Sequence, residues 1–164
     1  MAKLKTKHMS FDYDTGKAVF AYEYDNHIFE GTAKCHEDDS DFGSELVGLK
    51  YAETRALIKY FKFRLRDCSL VLKTLNNLYR NMSTSSDFNI HSKVTKKLTS
   101  RIKEVESQIE SFEYHIKELT ERMKVDMDNR TKMYEKIREN RKNSAKVSEE
   151  GAVTTDNKEE VEAS

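Results

Sequence analysis

The most constraining feature of the chain is a series of apolar residues in its second half, spaced alternately four and three apart. Its members are Leu98, Ile102, Val105, Ile109, Phe112, Ile116, Leu119 and Met123. This spacing places them on one side of an α-helix and is typical of a coiled-coil seam. It predicts a long helix that continues through Met133, Tyr134 and Ile137 to about Asn140. Residues 143–164 have no apolar period, and we expect a disordered acidic tail there.

Another long helix is predicted upstream, from about Phe42 to Arg80. Its apolar stripe consists of Leu46, Leu49, Leu57, Phe61, Leu65, Cys68, Leu72, Leu75 and Tyr79. The small polar residues at 83–87 favour a turn after it. Two long helices joined by a short segment are expected to pack antiparallel, as a hairpin. The absence of proline permits such uninterrupted helices.

The first 36 residues read as three short strands. Aromatic and β-branched residues alternate at 11–14, 17–25 and 28–36, separated by the turn residues Asp14-Thr15-Gly16 and Asp25-Asn26-His27. The predicted fold class is therefore α+β: a small N-terminal antiparallel β-meander followed by two long antiparallel α-helices. We expect residues 37–142 to form one domain with the sheet. Because the helices are longer than the sheet can cover, we also expect a homo-oligomer, at least a dimer.

The composition narrows the classes of protein that fit. The chain has neither a run of eighteen apolar residues nor an apolar segment behind its N-terminal lysines, so we expect no membrane span and no secretory signal. The expected location is the cytoplasm. Thiols are normally reduced there, and we expect Cys35 and Cys68 to form no disulfide.

The formal net charge is zero, but the charges are distributed unevenly along the chain. Residues 1–54 and residues 104–164 each carry a balance of −5, whereas residues 55–103 carry +10. A basic run is often only a solvated face. A basic block between acidic segments is also where an anionic ligand would first be attracted.

Catalytic and metal-binding patterns are missing from the sequence. The five histidines are scattered, and the chain lacks a serine-nucleophile motif, a glycine-rich phosphate loop and an HExxH motif. Cys35-His36 would need two further ligands to hold zinc, and the acidic stretch 37–41 lacks the glycine and glutamate of an EF-hand loop. We therefore expect a protein that is not an enzyme and needs no cofactor or metal.

Aromatic and amide side chains are interleaved with the cations of the basic block. Arginine binds phosphate bidentately, an aromatic ring stacks on a base, and an amide reads a base edge, so the combination suits a nucleotide. Phe61 and Tyr79 lie on the apolar stripe, which favours a core role for both, with base stacking as the alternative interpretation of Tyr79. Phe88 and Asn89 lie in the segment between the helices, where binding residues are common.

Three short stretches resemble a group of small proteins from phages of Gram-positive bacteria. They are Gly31-Thr32-Ala33-Lys34-Cys35-His36-Glu37-Asp38-Asp39, then Phe42-Gly43, then Tyr51-Ala52-Glu53-Thr54-Arg55-Ala56. The group's pattern is roughly G-x-A-x-C-x-P-x-D followed by a helix with A-x-x-R-A; this chain has Glu37 at the usual proline. The group includes the phage Thoeris anti-defence sponge family, whose layout of a sheet and two long helices is similar. The resemblance implies binding of cyclic ADP-ribose isomers or cyclic oligonucleotides between protomers, without cleavage.

The resemblance implies a ligand-binding role for Arg55, which occupies the A-x-x-R-A motif. More loosely, it implies that an aromatic late in the first helix and an amide near the start of the second contact the base. Tyr79 and Asn89 fit these positions, with Phe88 as the alternative to Tyr79, and Arg101 is the further candidate from the basic block.

Two functional hypotheses follow. The first is a phage anti-defence protein that sequesters a cyclic nucleotide in the host cytoplasm. The alternative is a coiled-coil interaction or scaffold protein whose basic zone contacts a protein or nucleic acid. The acidic flanks would repel an extended polyanion, which disfavours duplex nucleic acid as the partner.

Overall fold

The computed structural model describes residues 3–34, 44–83 and 92–153, including side chains except at 44, 92 and 145–153. The elements are β1 (Lys5–Asp12), β2 (Lys17–Tyr24), β3 (His27–Lys34), α1 (Ser44–Ser83) and α2 (Ser92–Val153). The strands form one antiparallel sheet in the order β1-β2-β3. The predicted α+β class is confirmed: a small meander precedes two long helices that pack against each other.

The chain divides into two compact units, residues 1–123 and 124–164. The first contains the sheet, α1 and the part of α2 up to Met123. In the second, the Arg130 guanidinium pairs with the Asp126 carboxylate at 3.4 Å, and Tyr134 is buried. In the described part of the chain, neither helix has a stretch long and apolar enough to cross a membrane.

The two hairpin turns have the conformations that their residues favour. Asp25 and Asn26 both adopt positive φ, 49° and 62°, as a two-residue type I′ turn requires. The first turn has Gly16 at φ 62°, and the Asp12 carboxylate accepts hydrogen bonds from the backbone N–H of Asp14 and Thr15. These turns fix the register in which Phe20 lies opposite Met9 and Gly31.

Two predicted boundaries were wrong. β1 begins at Lys5, six residues before the expected start at Phe11, because its first half is an exposed, charged edge strand without apolar alternation. It also contains a register irregularity between Thr6 and His8. α2 ends at Val153 instead of about Asn140, so residues 143–153 are helical and not a disordered tail. That stretch contains no proline, and no glycine before Gly151, so no helix breaker interrupts α2 where its apolar period ends.

Small residues let α1 approach the sheet closely. A Cβ at Gly31 would lie 1.9 Å from the Ala52 carbonyl oxygen and 2.5 Å from the Ala56 backbone nitrogen. Ala52 and Ala56 are fully buried and belong with Ala18, Phe20 and Ala33 to the core cluster between the helix and the sheet. The backbone of β3 therefore packs directly on the backbone of α1.

Side-chain contacts between α1 and α2 establish the antiparallel hairpin. The Cys68 thiol donates a hydrogen bond to Gln108 Oε1 at 3.6 Å, and the Phe61 ring stacks on His115 with centroids 5.1 Å apart. Phe61 also meets Phe112 at 6.0 Å. Later residues of α1 therefore lie beside earlier residues of α2, as in an antiparallel pair. Phe61 was predicted to be a core residue and is half-buried in this seam.

Candidate functional site

Arg55, the candidate ligand residue of the A-x-x-R-A motif, is half-buried and bonded within its own chain. Its Nη1 donates a hydrogen bond to the backbone carbonyl oxygen of Thr32 on β3. The alanines on either side of it in the motif, Ala52 and Ala56, are those that contact Gly31. The motif thus has a structural explanation in the contact between α1 and β3. A phosphate-binding role for Arg55 stays a prediction.

Lys59, like Arg55, donates a side-chain hydrogen bond to a backbone carbonyl of β3. Its Nζ donates to the Glu30 carbonyl oxygen at 2.6 Å. Carbonyls two residues apart in a strand point to the same edge, and β3 is a terminal strand of the sheet. Two cations one helical turn apart therefore cap the free edge of β3 and block the addition of another strand. Part of the basic block serves the fold.

Arg64 connects the sheet to both helices, a role that the sequence did not reveal. Its Nη1 donates to the Tyr24 hydroxyl at 2.6 Å, and its guanidinium carbon lies 4.8 Å from the Tyr24 ring centre and 5.3 Å from that of Phe112. Burial opposes its charge, but the oxygens of Tyr60 and Tyr24 favour it, and the pKa of the guanidinium is raised. Its buried Nε has no hydrogen-bond partner among the described residues. A cation–π contact with a ring on each side holds the three elements together.

Two tyrosines of the sheet reach glutamates of α1. The Tyr22 hydroxyl donates to Glu53, and the Tyr13 hydroxyl donates to Glu45. Burial, followed by the hydrogen bond to the Glu53 carboxylate, raises the pKa of Tyr22 well above its usual value. These contacts fix the sheet against the first half of α1.

The second half of α1 and the start of α2 form a strongly basic surface. Residues 64–83 and 92–103 carry nine Lys and Arg against one acidic residue. Lys93, Lys97 and Arg101 recur every four residues, so they share one side of α2, and all three are exposed. The hairpin register, extended from Cys68 and Gln108, brings Tyr79 level with Lys97. We call these four residues the distal patch.

The distal patch contains two of the predicted ligand residues, Tyr79 and Arg101. Tyr79 is 37% exposed, so its ring is accessible and is not a core residue. Arg101 forms an ion pair with Glu104 one turn along α2. Among the described residues, Lys93 and Lys97 pair with no carboxylate. Arg55 lies at the sheet, away from the patch, and Phe88 and Asn89 fall outside the described residues.

The fold does not bring candidate metal ligands together within the described residues. In the ranges 3–34, 44–83 and 92–153, no group of three histidine, cysteine or acidic side chains is placed to hold a metal ion. Cys35, His36 and the acidic stretch 37–41 lie outside those ranges. Cys68 is a buried free thiol in the helix seam.

Comparisons with known proteins give no relative for this chain. No family model matches it, and neither a curated protein nor a solved structure does so at a significant level.

Proposed function

We propose that this protein is a non-catalytic binding protein that sequesters a cyclic nucleotide immune signal. The ligand is a cyclic ADP-ribose isomer or a cyclic oligonucleotide, bound without cleavage by a homo-oligomer in the cytoplasm of a phage-infected host. The observation that carries the proposal is the distal patch, in which the exposed Lys93, Lys97 and Arg101 line one side of α2 and the hairpin register brings the exposed Tyr79 level with Lys97. The resemblance to the sponge family in sequence and layout supports it.

The chemistry of the patch suits a compact dianion carrying a base. Three cations spaced by one helical turn can each neutralise a phosphate oxygen, and the arginine can do so bidentately. A tyrosine face provides a stacking surface for any base. The acidic balance of residues 104–164 would penalise a long polyanion more than a small ligand.

Calorimetric titration with a panel of cyclic ADP-ribose isomers and cyclic oligonucleotides tests the proposal. We expect at least one ligand to bind, and Lys93→Glu/Lys97→Glu to weaken it by about tenfold or more through like-charge repulsion. The matched control is Lys132→Glu/Lys136→Glu, which reverses two exposed lysines of α2 that are also four residues apart but lie outside the patch. Equal losses in both variants would show a general effect of net charge, and binding by no member of the panel would refute the proposal.

The coiled-coil scaffold is the second candidate, and exposed apolar residues of α1 favour it. Leu70 and Leu78 are 58% and 49% exposed and lie two turns apart on the same helix. Exposed leucines at such spacing suit a partner helix. Replacing both by serine would abolish the function of a scaffold and leave nucleotide binding intact.

A further inference from the structure

The side of α1 that contacts the sheet continues further along the helix as an exposed apolar surface. Phe63 and Arg64 contact aromatic rings of β3 and β2. Leu70 lies seven residues after Phe63, and Val71 and Leu78 lie seven and fourteen residues after Arg64. Residues seven apart lie on nearly the same side of an α-helix, so these three residues continue the sheet-contacting side. All three are exposed.

One apolar residue of α2 extends this surface. Val94 is exposed and lies fourteen residues before Gln108, which accepts a hydrogen bond from the Cys68 thiol of α1. It therefore lies on the side of α2 that faces α1. The part of α1 from Leu70 to its end at Ser83 is about 20 Å long, or nearly four helical turns. We call four exposed residues the apolar strip: Leu70, Val71, Leu78 and Val94.

A row of cations follows one border of the strip on α1. Arg66, Lys73 and Arg80 are exposed and lie seven residues apart, and the first of them lies seven residues after Lys59. Because Lys59 donates to a β3 carbonyl, the row continues the margin of the sheet-contacting side. The exposed Asp67 lies beside this row at the end nearer the sheet.

Cations also follow the opposite border of the strip, on α2. In an antiparallel pair, turning against the sequence direction from the seam leads to the same side on both helices. On α1 this turn leads from Phe61 to Tyr60, which contacts a ring of the sheet. On α2 it leads from the buried Leu98 to the exposed Lys97, and Lys93 lies one helical turn earlier.

Both borders of the strip therefore have an excess of positive charge. The acidic residues on this side, over the same length of the hairpin, are Asp67 and Glu104, and Glu104 is paired with Arg101. The cations on this side are six: Arg66, Lys73, Arg80, Lys93, Lys97 and Arg101. The balance of this surface is +4, with apolar side chains between its two rows of cations.

We propose that the apolar strip is the docking surface for an acidic amphipathic helix of a partner protein. The apolar side of that helix lies on the strip, and its carboxylates face both rows of cations. Rows that repeat every seven residues suit a helix, because packed helices stay in register over such repeats. This inference names a partner for the scaffold, the second candidate function, and rests on that candidate.

A membrane surface and a nucleic acid fit this surface less well. The sheet lies over α1 on the same side, so a flat bilayer would meet the sheet before it reached Leu78. A nucleic-acid backbone would meet apolar side chains along the middle of the surface, where it requires cations. A helix is narrow enough to lie beside the sheet and between the two rows.

Fluorescence anisotropy of a labelled synthetic peptide with the full chain tests the proposal. The peptide has about 18 residues, leucines in a heptad pattern and glutamates along both flanks. We expect a dissociation constant below about 100 μM, and binding at least about tenfold weaker for a peptide with lysine in place of each glutamate. Leu70→Ser/Leu78→Ser should weaken binding of the acidic peptide by about tenfold or more, and circular dichroism checks that this variant remains helical.

A charge exchange tests the cationic row on α1. Arg66→Glu/Lys73→Glu should weaken binding of the acidic peptide by about tenfold or more through like-charge repulsion. A peptide with lysine along one flank only should bind this variant to within about threefold of the parent pair. The matched control is Lys132→Glu/Lys136→Glu, two exposed lysines of α2 away from the strip, which should leave peptide binding unchanged.

Several outcomes would overturn the assignment. They are an acidic peptide that does not bind, equal binding of the lysine peptide, or unchanged affinity in Leu70→Ser/Leu78→Ser. If that variant instead lost binding to vesicles of phosphatidylserine and phosphatidylcholine, the occupant would be a membrane. If it dissociated an oligomer in analytical ultracentrifugation, the occupant would be a second copy. None of the α1 variants changes the distal patch, so nucleotide titration by calorimetry decides the cyclic-nucleotide proposal separately.

Discussion

Gly31→Ala is the sharpest perturbation of the contact between the sheet and α1. The new Cβ would lie 1.9 Å from the Ala52 carbonyl oxygen and 2.5 Å from the Ala56 nitrogen. To reach ordinary contact at 3.4 Å, strand and helix must separate by about 1.5 Å. Both obstructing groups are backbone, so rotamer changes offer no relief. Separation would also loosen the buried Ala52 and Ala56 from the core.

Inserting a methyl group into a well-packed core usually costs about 1 to 3 kcal/mol, and rigid backbone on both sides places this case at about 3 kcal/mol or more. Urea denaturation followed by circular dichroism measures it. Thr32→Ala is the matched control, since it removes a side chain from the next residue and keeps the carbonyl that Arg55 binds; it should cost less than about 1 kcal/mol.

A second variant separates this explanation from a general intolerance of change. Adding Ala52→Gly to Gly31→Ala should restore no stability, because the clash is with the Ala52 backbone and not its side chain. If Gly31→Ala unfolds within about 0.5 kcal/mol of the parent, or if Ala52→Gly rescues it, the close backbone approach is refuted.

Three further predictions concern the contacts around this core. Arg64→Ala should lower the free energy of unfolding by about 2 kcal/mol or more. Arg64→Lys should recover only part of this loss, because lysine keeps the charge but loses the planar stacking. Urea midpoints of the two variants measure both effects, and full recovery by lysine would contradict the role of the guanidinium. For Tyr22, whose pKa is raised on folding, the stabilising contribution is complete below the unfolded pKa near 10 and is lost as the pH rises above it. The difference in urea midpoint between the parent and Tyr22→Phe should therefore be constant to about pH 9 and shrink above pH 10, and a constant difference to pH 11 would exclude the linkage. Arg55→Ala should destabilise the fold by about 1 to 3 kcal/mol by leaving the Thr32 carbonyl without its donor; unchanged stability together with a clear loss of nucleotide binding would instead assign it to the ligand.

The sequence predicted the parts of the fold that depend on local pattern. Asp25-Asn26 identified a tight turn because few residues tolerate positive φ, and the four-three spacing from Leu98 identified α2 because it persists over several heptads. The first half of β1 escaped prediction because an edge strand exposed on both faces needs no alternation. The C-terminal extension of α2 escaped prediction because a helix can continue past its apolar period where no proline or glycine interrupts it.

The site was predicted less well, because its geometry depends on long-range contacts. The residues around Arg55 and Lys59 in the sequence do not show that these two side chains face the edge of β3. From sequence alone, a cation in a basic block can be interpreted either as a phosphate ligand or as a structural residue. Arg64 lies forty residues from Tyr24 in the sequence, and its contact with the Phe112 ring exists only once the two helices have packed as a hairpin. The signal that could have separated these cations was their spacing: Arg55 and Lys59 are one turn apart beside the small residues Ala52 and Ala56.

The proposed function requires that the protein bind a cyclic nucleotide and leave it intact. The most direct measurement incubates the purified full chain with the panel of cyclic nucleotides, removes unbound ligand, denatures the protein by heat and identifies the released molecule by mass spectrometry. We expect recovery of an unmodified cyclic nucleotide from the parent and of a much smaller amount from Lys93→Glu/Lys97→Glu. Release of a cleaved product, or recovery of no nucleotide from the parent, would contradict it.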